Sequence, residues 1–366
     1  MRINRIALNG FRNYDFDTAE FSPGTNVIYG ENAQGKTNLL EAVYMLAMGR
    51  SFRTRFDREL IGFGCDSAEI LADIVSHERE QTVRILLRNG VRKQITVNAV
   101  KKTASELGET LNVVLFCPDD LNLIKEGAAA RRRLMDNAIS QIRPRYAEYL
   151  SQFNKFYESK TRILKDWREK PSLLDTLDEF SDGMCRASAQ LIRYRASFAA
   201  RLAEEAAPIH SEFSGADERL GIEYSTVSSV KDPTASAKEI FYDLCDHMEA
   251  HKKAELDSGQ CLSGAHKDDL IISINGKNAR SFASQGQTRT AALSIKLAER
   301  EIYLNETGEY PILLLDDVLS ELDTKRQEFV LNRIGGGQTL ITCCEEEGIS
   351  RRTGGKVLHV KNGRIG

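Results

Sequence analysis

The chain reads as an α/β protein whose parallel sheet is assembled from both ends of the sequence around a helical insert. Three observations carry that reading. A glycine-rich octapeptide, GENAQGKT at Gly30 to Thr37, follows a short apolar run and opens a helical pattern. Far along the chain, four apolar residues, Ile312 to Leu315, end in the acid pair Asp316 and Asp317. Between them the apolar period changes from that of strands to that of helices near residue 128, and back again after residue 257.

The first lobe, residues 1–127, alternates short strands and turns. Ile3 to Leu8, Ile70 to Val75, Val83 to Leu87 and Ile95 to Val97 read as strands, with Asn89-Gly90 as a hairpin turn. Asn26 to Tyr29 (NVIY) reads as the strand entering the glycine-rich loop. Asn38 to Met48 (NLLEAVYMLAM) reads as the helix leaving it, because its apolar residues recur at turn spacing. Residues 128–257 are helical in pattern apart from a short strand at Gly221 to Thr226, with helices expected over Tyr146 to Lys170 and Lys238 to Leu256. The last lobe, residues 258–366, resumes sheet signals at Leu270 to Ile274. It continues with a helix at Thr288 to Leu304 and strands at Ile312 to Leu315, Gln338 to Thr342 and Val357 to Val360.

A glycine-rich turn between strand and helix leaves backbone N–H groups converging, and the helix N-terminus adds a partial positive charge. Phosphate oxygens are its natural ligand. Gly30, Glu31, Asn32, Ala33, Gln34, Gly35, Lys36 and Thr37 form this cradle. In such an arrangement Lys36 reaches the β- and γ-phosphates of a nucleotide and the Thr37 hydroxyl coordinates Mg²⁺. A wholly apolar strand belongs inside a parallel sheet, so Asp316 and Asp317 emerge at its carboxyl edge, where ligands bind. Asp316 is then placed to hold Mg²⁺ through water and Asp317 to polarise the attacking water. Lys36, Asp316 and Asp317 are the expected catalytic residues, with Thr37 and Asp316 as the metal-side pair. A flexible surface turn and a chance acid pair are the plain alternatives, and their occurrence in one chain weighs against both.

Further segments supply a resemblance. SQGQ at Ser284 to Gln287 resembles the signature motif of the ABC ATPase superfamily, and SELD at Ser320 to Asp323 resembles its D-loop. The resemblance implies that Ser284, Gly286 and Gln287 cap the γ-phosphate held by a second copy's loop, so that ATP joins a head-to-tail homodimer. FRNY at Phe11 to Tyr14, GRSFRT at Gly49 to Thr54, FCPDDL at Phe116 to Leu121 and SGAHKDDL at Ser263 to Leu270 are each similar to landmarks of the RecF family. They fall in the family's order and span nearly the whole chain. The implied fold is α/β, an ABC-type P-loop ATPase head with an inserted helical arm domain. Arg12 and Asn13 of FRNY are carried as nucleotide contacts.

The chain departs from the family pattern in places. Ala265 and Lys267 stand where the family reads proline and arginine, and Phe52 where it reads histidine. Cys343 and Cys344 follow the strand after which many ABC ATPases place a switch histidine, a residue RecF proteins also lack. Asp317 replaces the transporter-type glutamate, shortening the reach to water by one methylene. Slow hydrolysis is expected, with ATP binding as the useful state and a weak, DNA-stimulated ATPase activity as a switch.

Composition excludes more than it assigns. The chain has 366 residues, 41% apolar and 28% charged, with a net charge of −3. That length suits two lobes of an ordinary globular protein. Its strongly apolar runs are far too short to span a membrane, and MRINRIALNGF is charged where a signal peptide is apolar, so a cytoplasmic protein is expected. Seven cysteines with no C-x-x-C pair argue for reduced thiols rather than a disulfide framework or zinc ribbon. Cys245, His247 and His251 share a helix face, but two histidines on a polar helix are expected there rather than a metal site.

The whole-chain charge does not announce a nucleic-acid partner, but its distribution is uneven. Between Arg131 and Lys170 eleven Lys or Arg stand against five Asp or Glu, a local charge of +6 that leaves −9 for the remainder. A helix over Tyr146 to Lys170 would run about 38 Å. Lys155, Lys160, Arg162, Lys165 and Arg168 are its candidate DNA-backbone contacts, with a solvated helix face as the alternative. Tyr146, Tyr149, Phe153 and Phe156 recur at helical spacing in the same segment and are expected in the core rather than as stacking platforms. Arg50, Arg53, Arg55 and Arg58, after the loop helix, are a second basic cluster between nucleotide and DNA.

No base-reading motif is present, so DNA is expected to be recognised by backbone and structure. The family resemblance implies gapped single- and double-stranded DNA as partner, loading of the recombinase RecA with RecR and RecO, replication restart and the SOS response. A structural SMC-like ATPase that tethers DNA is the alternative, though SMC proteins place hundreds of heptad residues where this chain has roughly 130 with no sustained heptad. A transporter ATPase, with its signature motif much nearer the loop, is a remote third.

Overall fold

The computed structural model describes residues 1–344 and 352–366. The chain divides into two compact units, Met1–Asn122 with Ala292–Gly366, and Leu123–Ala291. In chain order the first unit opens with β1 (Arg2–Phe11), β2 (Tyr14–Glu20), β3 (Thr25–Tyr29), α1 (Lys36–Met48), β4 (Ser67–Ser76), β5 (Arg79–Arg88), β6 (Val91–Val97), β7 (Val100–Lys102) and β8 (Val113–Phe116). The second unit holds α2 (Ala128–Ile142), α3 (Pro144–Asp166), α4 (Leu177–Ser214), β9 (Leu220–Ser225), α5 (Ala237–Ser258), β10 (Asp269–Ile274), β11 (Lys277–Asn278) and α6 (Ala279–Phe282). Helix α7 (Gln285–Thr307) starts in the second unit and ends in the first, which closes with β12 (Ile312–Leu315), α8 (Thr324–Arg333), β13 (Thr339–Cys343), β14 (Lys356–Lys361) and β15 (Arg364–Ile365).

The first unit is two sheets around one buried helix. One sheet is antiparallel in the order β2-β1-β4-β5-β6-β7; the other is parallel from β14 through β3, β13 and β12 to β8. Strand β4 alternates strictly, with Ala68, Ile70, Ala72 and Ile74 facing inward, as a sheet with one wet face requires. Strand β12 is apolar at every position because β8 and β13 flank it and both its faces are covered. Helix α1 is buried almost all round, and Leu39, Leu40, Val43 and Leu46 join one core with Ile6, Leu8 and Ile85 of the antiparallel sheet and Ile28, Leu314 and Leu340 of the parallel one. Truncating such a leucine to alanine costs roughly 2–5 kcal/mol. The helix stops at Gly49, which takes the left-handed conformation at φ 63°.

The α/β class and the weaving of one sheet from both chain ends are as the sequence predicts. β3 comes from the start of the chain, β8 precedes the helical segment, and β12 to β14 come from the end.

In the second unit α3 and α4 pack through an aromatic seam. Tyr146 and Phe153 are buried, and Tyr146 meets Tyr194 edge-on at 5.6 Å, so the aromatic stripe is core. Helix α3 ends at Asp166 rather than Lys170, because Pro171 forces the residue before it out of the helical region, and Lys170 sits at φ −133°. Helix α5 starts on a reciprocal box between Ser236 and Glu239. The unit extends past residue 257, the expected end of the insert. Strand β10 pairs antiparallel with β9, so residues 258–291, including SQGQ, group with the helices rather than with the first unit.

Candidate nucleotide site

Strand β3 ends at Tyr29 and α1 begins at Lys36, so the residues between them must reverse the chain in little space. Two glycines permit it. Gly30 and Gly35 hold φ at 154° and 122°, and a Cβ on Gly30 would stand 2.2 Å from the Val360 carbonyl oxygen. No side chain caps the start of α1, which leaves its leading N–H groups available to an anion. Lys36 is only 4% exposed. Its ammonium donates to the carbonyl oxygens of Gly30 at 2.7 Å and Glu31 at 3.0 Å, and lies 3.9 Å from the Cys344 thiol.

The acid pair arrives at the same place from the other end of the chain. Asp316 follows β12, and its Oδ1 accepts from the hydroxyls of Thr37 at 2.9 Å and Thr342 at 3.0 Å. Thr342, at the carboxyl end of β13, in turn accepts from the Asp317 backbone N–H at 2.8 Å. Burial pushes the Asp316 carboxyl above the usual carboxylate range; hydrogen bonds from Thr37 and Thr342 work the other way, and the neighbouring Asp317 charge adds to the rise. Among the described residues no Lys, Arg or His forms a salt bridge to Asp316; Arg53 acts on it only weakly from a distance. A buried carboxylate served by two hydroxyls and no cation is an oxygen donor set suited to a hard divalent ion. Thr37 and Asp316 are therefore the residues that would hold Mg²⁺ beside the phosphate loop.

FRNY braces the loop from behind. The Arg12 guanidinium makes a two-pronged contact with fully buried Glu41 of α1, at 2.8 Å on each prong, and donates to the Glu59 carbonyl at 2.9 Å. Three of its five N–H donors are so committed, which makes Arg12 a strut for α1. Asn13 donates to the Gln34 carbonyl at 2.8 Å and accepts from the Asn38 side chain at 2.8 Å, while the Tyr14 hydroxyl donates to the Gly35 carbonyl at 3.0 Å. Asn13 thus fixes the loop's backbone. The Gly363 N–H adds a second tie to the Gln34 carbonyl at 3.0 Å. Arg53 of GRSFRT donates to Asn38 at 2.7 Å and stands 3.6 Å from Glu41, which places this member of the second basic cluster against α1. Glu41, Tyr14 and Thr342 are functional supports that the sequence reading missed. A lone glutamate in an apolar helix pattern was the one signal that could have found Glu41.

In the second unit SQGQ opens α7 as a reciprocal cap. Ser284 N–H donates to Gln287 Oε1 at 2.8 Å and Gln287 N–H to Ser284 Oγ at 3.2 Å. Ser284 is exposed, Gly286 half-buried. The acid pair of SGAHKDDL is tied into the fold. Asp268 is fully buried and accepts from Arg195 at 2.7 Å, Tyr224 at 2.5 Å and Thr226 at 2.7 Å, while Asp269 takes both prongs of Arg131.

The candidate DNA contacts divide. Lys155, Arg162 and Lys165 are exposed on α3; Arg168, just beyond it, is exposed, stacks on Trp167 at 5.6 Å and donates to the Asp257 carbonyl. Lys160 is fully buried and paired with buried Glu255 at 2.7 Å, so it ties α3 to α5 and is no contact for DNA. Its position on the helix turns it inward, away from the other basic residues. His247 and His251 stack at 4.0 Å, with Nδ1 of each spent on Ser263 and on the His247 carbonyl.

A family profile described as the RecF/RecN/SMC N-terminal domain matches residues 2–362. The DNA replication and repair protein RecF of Acetivibrio thermocellus is 40% identical over 363 residues, covering 99% of this chain and 98% of that protein. RecF of Listeria innocua is 42% identical, covering 96% and 95%. Among solved structures, one described as the recombination mediator protein RecF-ATPrS in the RecFOR pathway superposes with a TM-score of 0.92 at 33% identity, covering 100% of this chain and 97% of that one. An Smc head domain from Pyrococcus furiosus shares the fold alone, with a TM-score of 0.56 at 16% identity. With a glycine loop, a hydroxyl–carboxylate pair and a capped SQGQ turn set in a sequence 40% identical to RecF over almost all of both chains, this protein belongs to the RecF family of ABC/SMC-like ATPases.

Proposed function

We propose that this chain is an ATP-operated DNA clamp in replication and recombinational repair. The observation that carries the proposal is the Lys36, Thr37, Asp316 and Thr342 cluster, which gathers an ammonium, two hydroxyls and a buried carboxylate around one phosphate loop. The likeness to RecF proteins solved with ATP supports ATP as the nucleotide. Mg²⁺ bound at Thr37 and Asp316 would supply charge neutralisation between the β- and γ-phosphates. Lys36 exchanges its loop carbonyls for phosphate oxygens, and Asp317, beside Asp316, is the candidate to orient the attacking water.

A γ-phosphate held by this cluster calls for donors on its far side as well. The exposed SQGQ turn of another copy meets that need: the Ser284 hydroxyl and the first N–H groups of α7 face an anion well. ATP therefore closes a homodimer, and slow hydrolysis reopens it. Lys155, Arg162, Lys165 and Arg168 give the DNA-facing charge, with gapped duplex as the structure engaged, RecR and RecO as partners, RecA as the recombinase loaded and the cytoplasm as its place. No helix among the described residues is long and apolar enough to cross a membrane.

Light scattering with and without ATP and Mg²⁺, in the presence and absence of a gapped duplex, tests the reading. An ATP-dependent dimer strengthened by DNA and abolished by Ser284→Arg is expected, with nucleotide binding by the Ser284→Arg monomer preserved. A monomer under every condition overturns it. DNA bridging without any RecR complex would instead favour the SMC-like tether.

A further inference from the structure

The SQGQ turn is fastened by residues that belong to no motif. Gln287 spends its two side-chain functions in different directions: Oε1 accepts from Ser284 N–H at 2.8 Å, and Nε2 donates to Glu218 Oε1 at 2.8 Å. The second Glu218 oxygen stands 3.2 Å from Nε2 of fully buried His210 near the end of α4. Glu218 itself rides on a braced junction. Helix α4 closes on Gly215 at φ 73°, and the next ordered contact clamps Arg219 to Asn275 through reciprocal bonds of 2.8 and 2.9 Å. On the opposite side of the motif, Lys125 caps the carbonyls of Arg280 at 3.1 Å and Ala283 at 2.9 Å, the residues leading into Ser284.

We infer that Glu218 is a positioning residue for the SQGQ motif. A side-chain amide can rotate by half a turn and exchange its donor and acceptor ends. With a carboxylate fixed at Nε2 only one orientation satisfies both neighbours, because the carboxylate accepts and cannot donate. That orientation places Oε1 on the Ser284 N–H and completes the reciprocal cap, which in turn fixes the Ser284 hydroxyl against the Gln287 N–H. Glu218 acts through Gln287 and touches no nucleotide. Because its own place is set by the α4 end and by His210, Glu218 links the end of α4 to the ATP-capping turn.

The inference rests on the homodimer reading, and its test separates the two. Glu218→Ala is expected to raise the ATP-dependent dimer dissociation constant roughly 10- to 100-fold, the worth of one charge-assisted hydrogen bond. Nucleotide affinity of the monomer should stay unchanged, since the phosphate loop lies in the other unit. Glu218→Gln, which keeps an acceptor oxygen, should recover dimerisation to within about threefold. In a double-mutant cycle, Gln287→Ala should add little in the Glu218→Ala background. Hydrogen exchange at the amides of residues 285–288, read on the nucleotide-free monomer, should quicken in Glu218→Ala while α2 and α3 keep their protection. If Ser284→Arg blocks dimerisation but Glu218→Ala dimerises and exchanges like the parent, the positioning role is refuted and the dimer reading stands. If Ser284→Arg still dimerises, the dimer reading fails, and unchanged exchange at 285–288 would then refute the positioning role on its own.

Discussion

Replacing Arg12 by alanine separates a strut from a ligand. Its guanidinium holds Glu41, whose side chain is 0% exposed, through two charge-assisted bonds of 2.8 Å, and is itself 19% exposed. Removing one member of a buried ion pair costs about 3–5 kcal/mol, most of it the penalty of an uncompensated buried charge. Two neighbours soften the loss here. Ser51 Oγ donates to Glu41 at 2.5 Å and Arg53 remains 3.6 Å away. Allowing for them, and for the part of Arg12 that faces water, a loss of about 2–3 kcal/mol is expected.

The two units can unfold separately, so a single global transition would blur that figure. Trp167, the sole tryptophan, lies in the second unit and its fluorescence serves as the internal control. Native-state hydrogen exchange of α1 amides reads the first unit. A loss of that size corresponds to exchange about 30- to 150-fold faster, with the Trp167 transition unmoved. Glu41→Gln combined with Arg12→Ala should lose less than the sum of the singles. The reasoning is refuted if α1 exchange in Arg12→Ala stays within about twofold of the parent while nucleotide affinity falls more than about tenfold.

Burial holds the His266 imidazole down at about 4, with Lys267, Arg132 and Lys160 further opposing its charge and the Cys261 carbonyl favouring it. Its folded value lies below the unfolded one, so the unfolded chain binds the extra proton and stability falls as pH drops from about 6.5 toward 4; by pH 5 the loss is about 2 kcal/mol. Thermal melts of the parent should show this decline and those of His266→Asn a shallower one; parallel curves would remove His266 as the cause. Glu255→Ala, which strands the buried Lys160 ammonium, should destabilise the second unit by about 3–5 kcal/mol on the Trp167 transition. Single charge removals at Lys155, Arg162 or Lys165 should leave that transition alone, and each of them, like removal of Arg168, should lower the salt slope of DNA binding by about one. Steady-state hydrolysis should stay well under about 10 per second, the median for enzymes, and a faster turnover would mean that Asp317 positions water better than its short side chain suggests.

The sheet and the loop were legible because their signals are local. Ile312 to Leu315 has nowhere to go but a buried parallel strand, and the glycines of GENAQGKT fit a turn that other residues cannot make. The boundary of the second unit was not legible, since it depends on β10 choosing β9 across a long sequence separation, a pairing that periodicity does not encode. Lys160 shows the same limit on a smaller scale. Composition counts it with four exposed cations, yet its position on α3 turns it inward, and only the presence of Glu255 on a different helix makes that tolerable. The bracing role of Arg12 was hidden for a related reason: its partner Glu41 lies in an apolar helix where no motif marks it.

Two of the chain's three Asp-Asp pairs share a dipeptide and differ in use. Asp268 and Asp316 are both buried, and burial pushes both carboxyls up. Asp268 is answered directly by the Arg195 guanidinium at 2.7 Å, and Tyr224 and Thr226 donate to it as well. Its electrostatic need is met within the protein, which is why Asp268 fastens α4 to the β9–β10 pair. Asp316 receives only the Thr37 and Thr342 hydroxyls and has a second carboxylate next to it in sequence. Neutral donors satisfy its lone pairs without balancing its charge. A buried carboxylate left in that condition favours either a proton or a cation, and a cation at this carboxylate would stand beside the Thr37 hydroxyl at the mouth of the phosphate loop. The identity of the partners, rather than the Asp-Asp dipeptide, is what ties one pair into the fold and leaves the other suited to a cation.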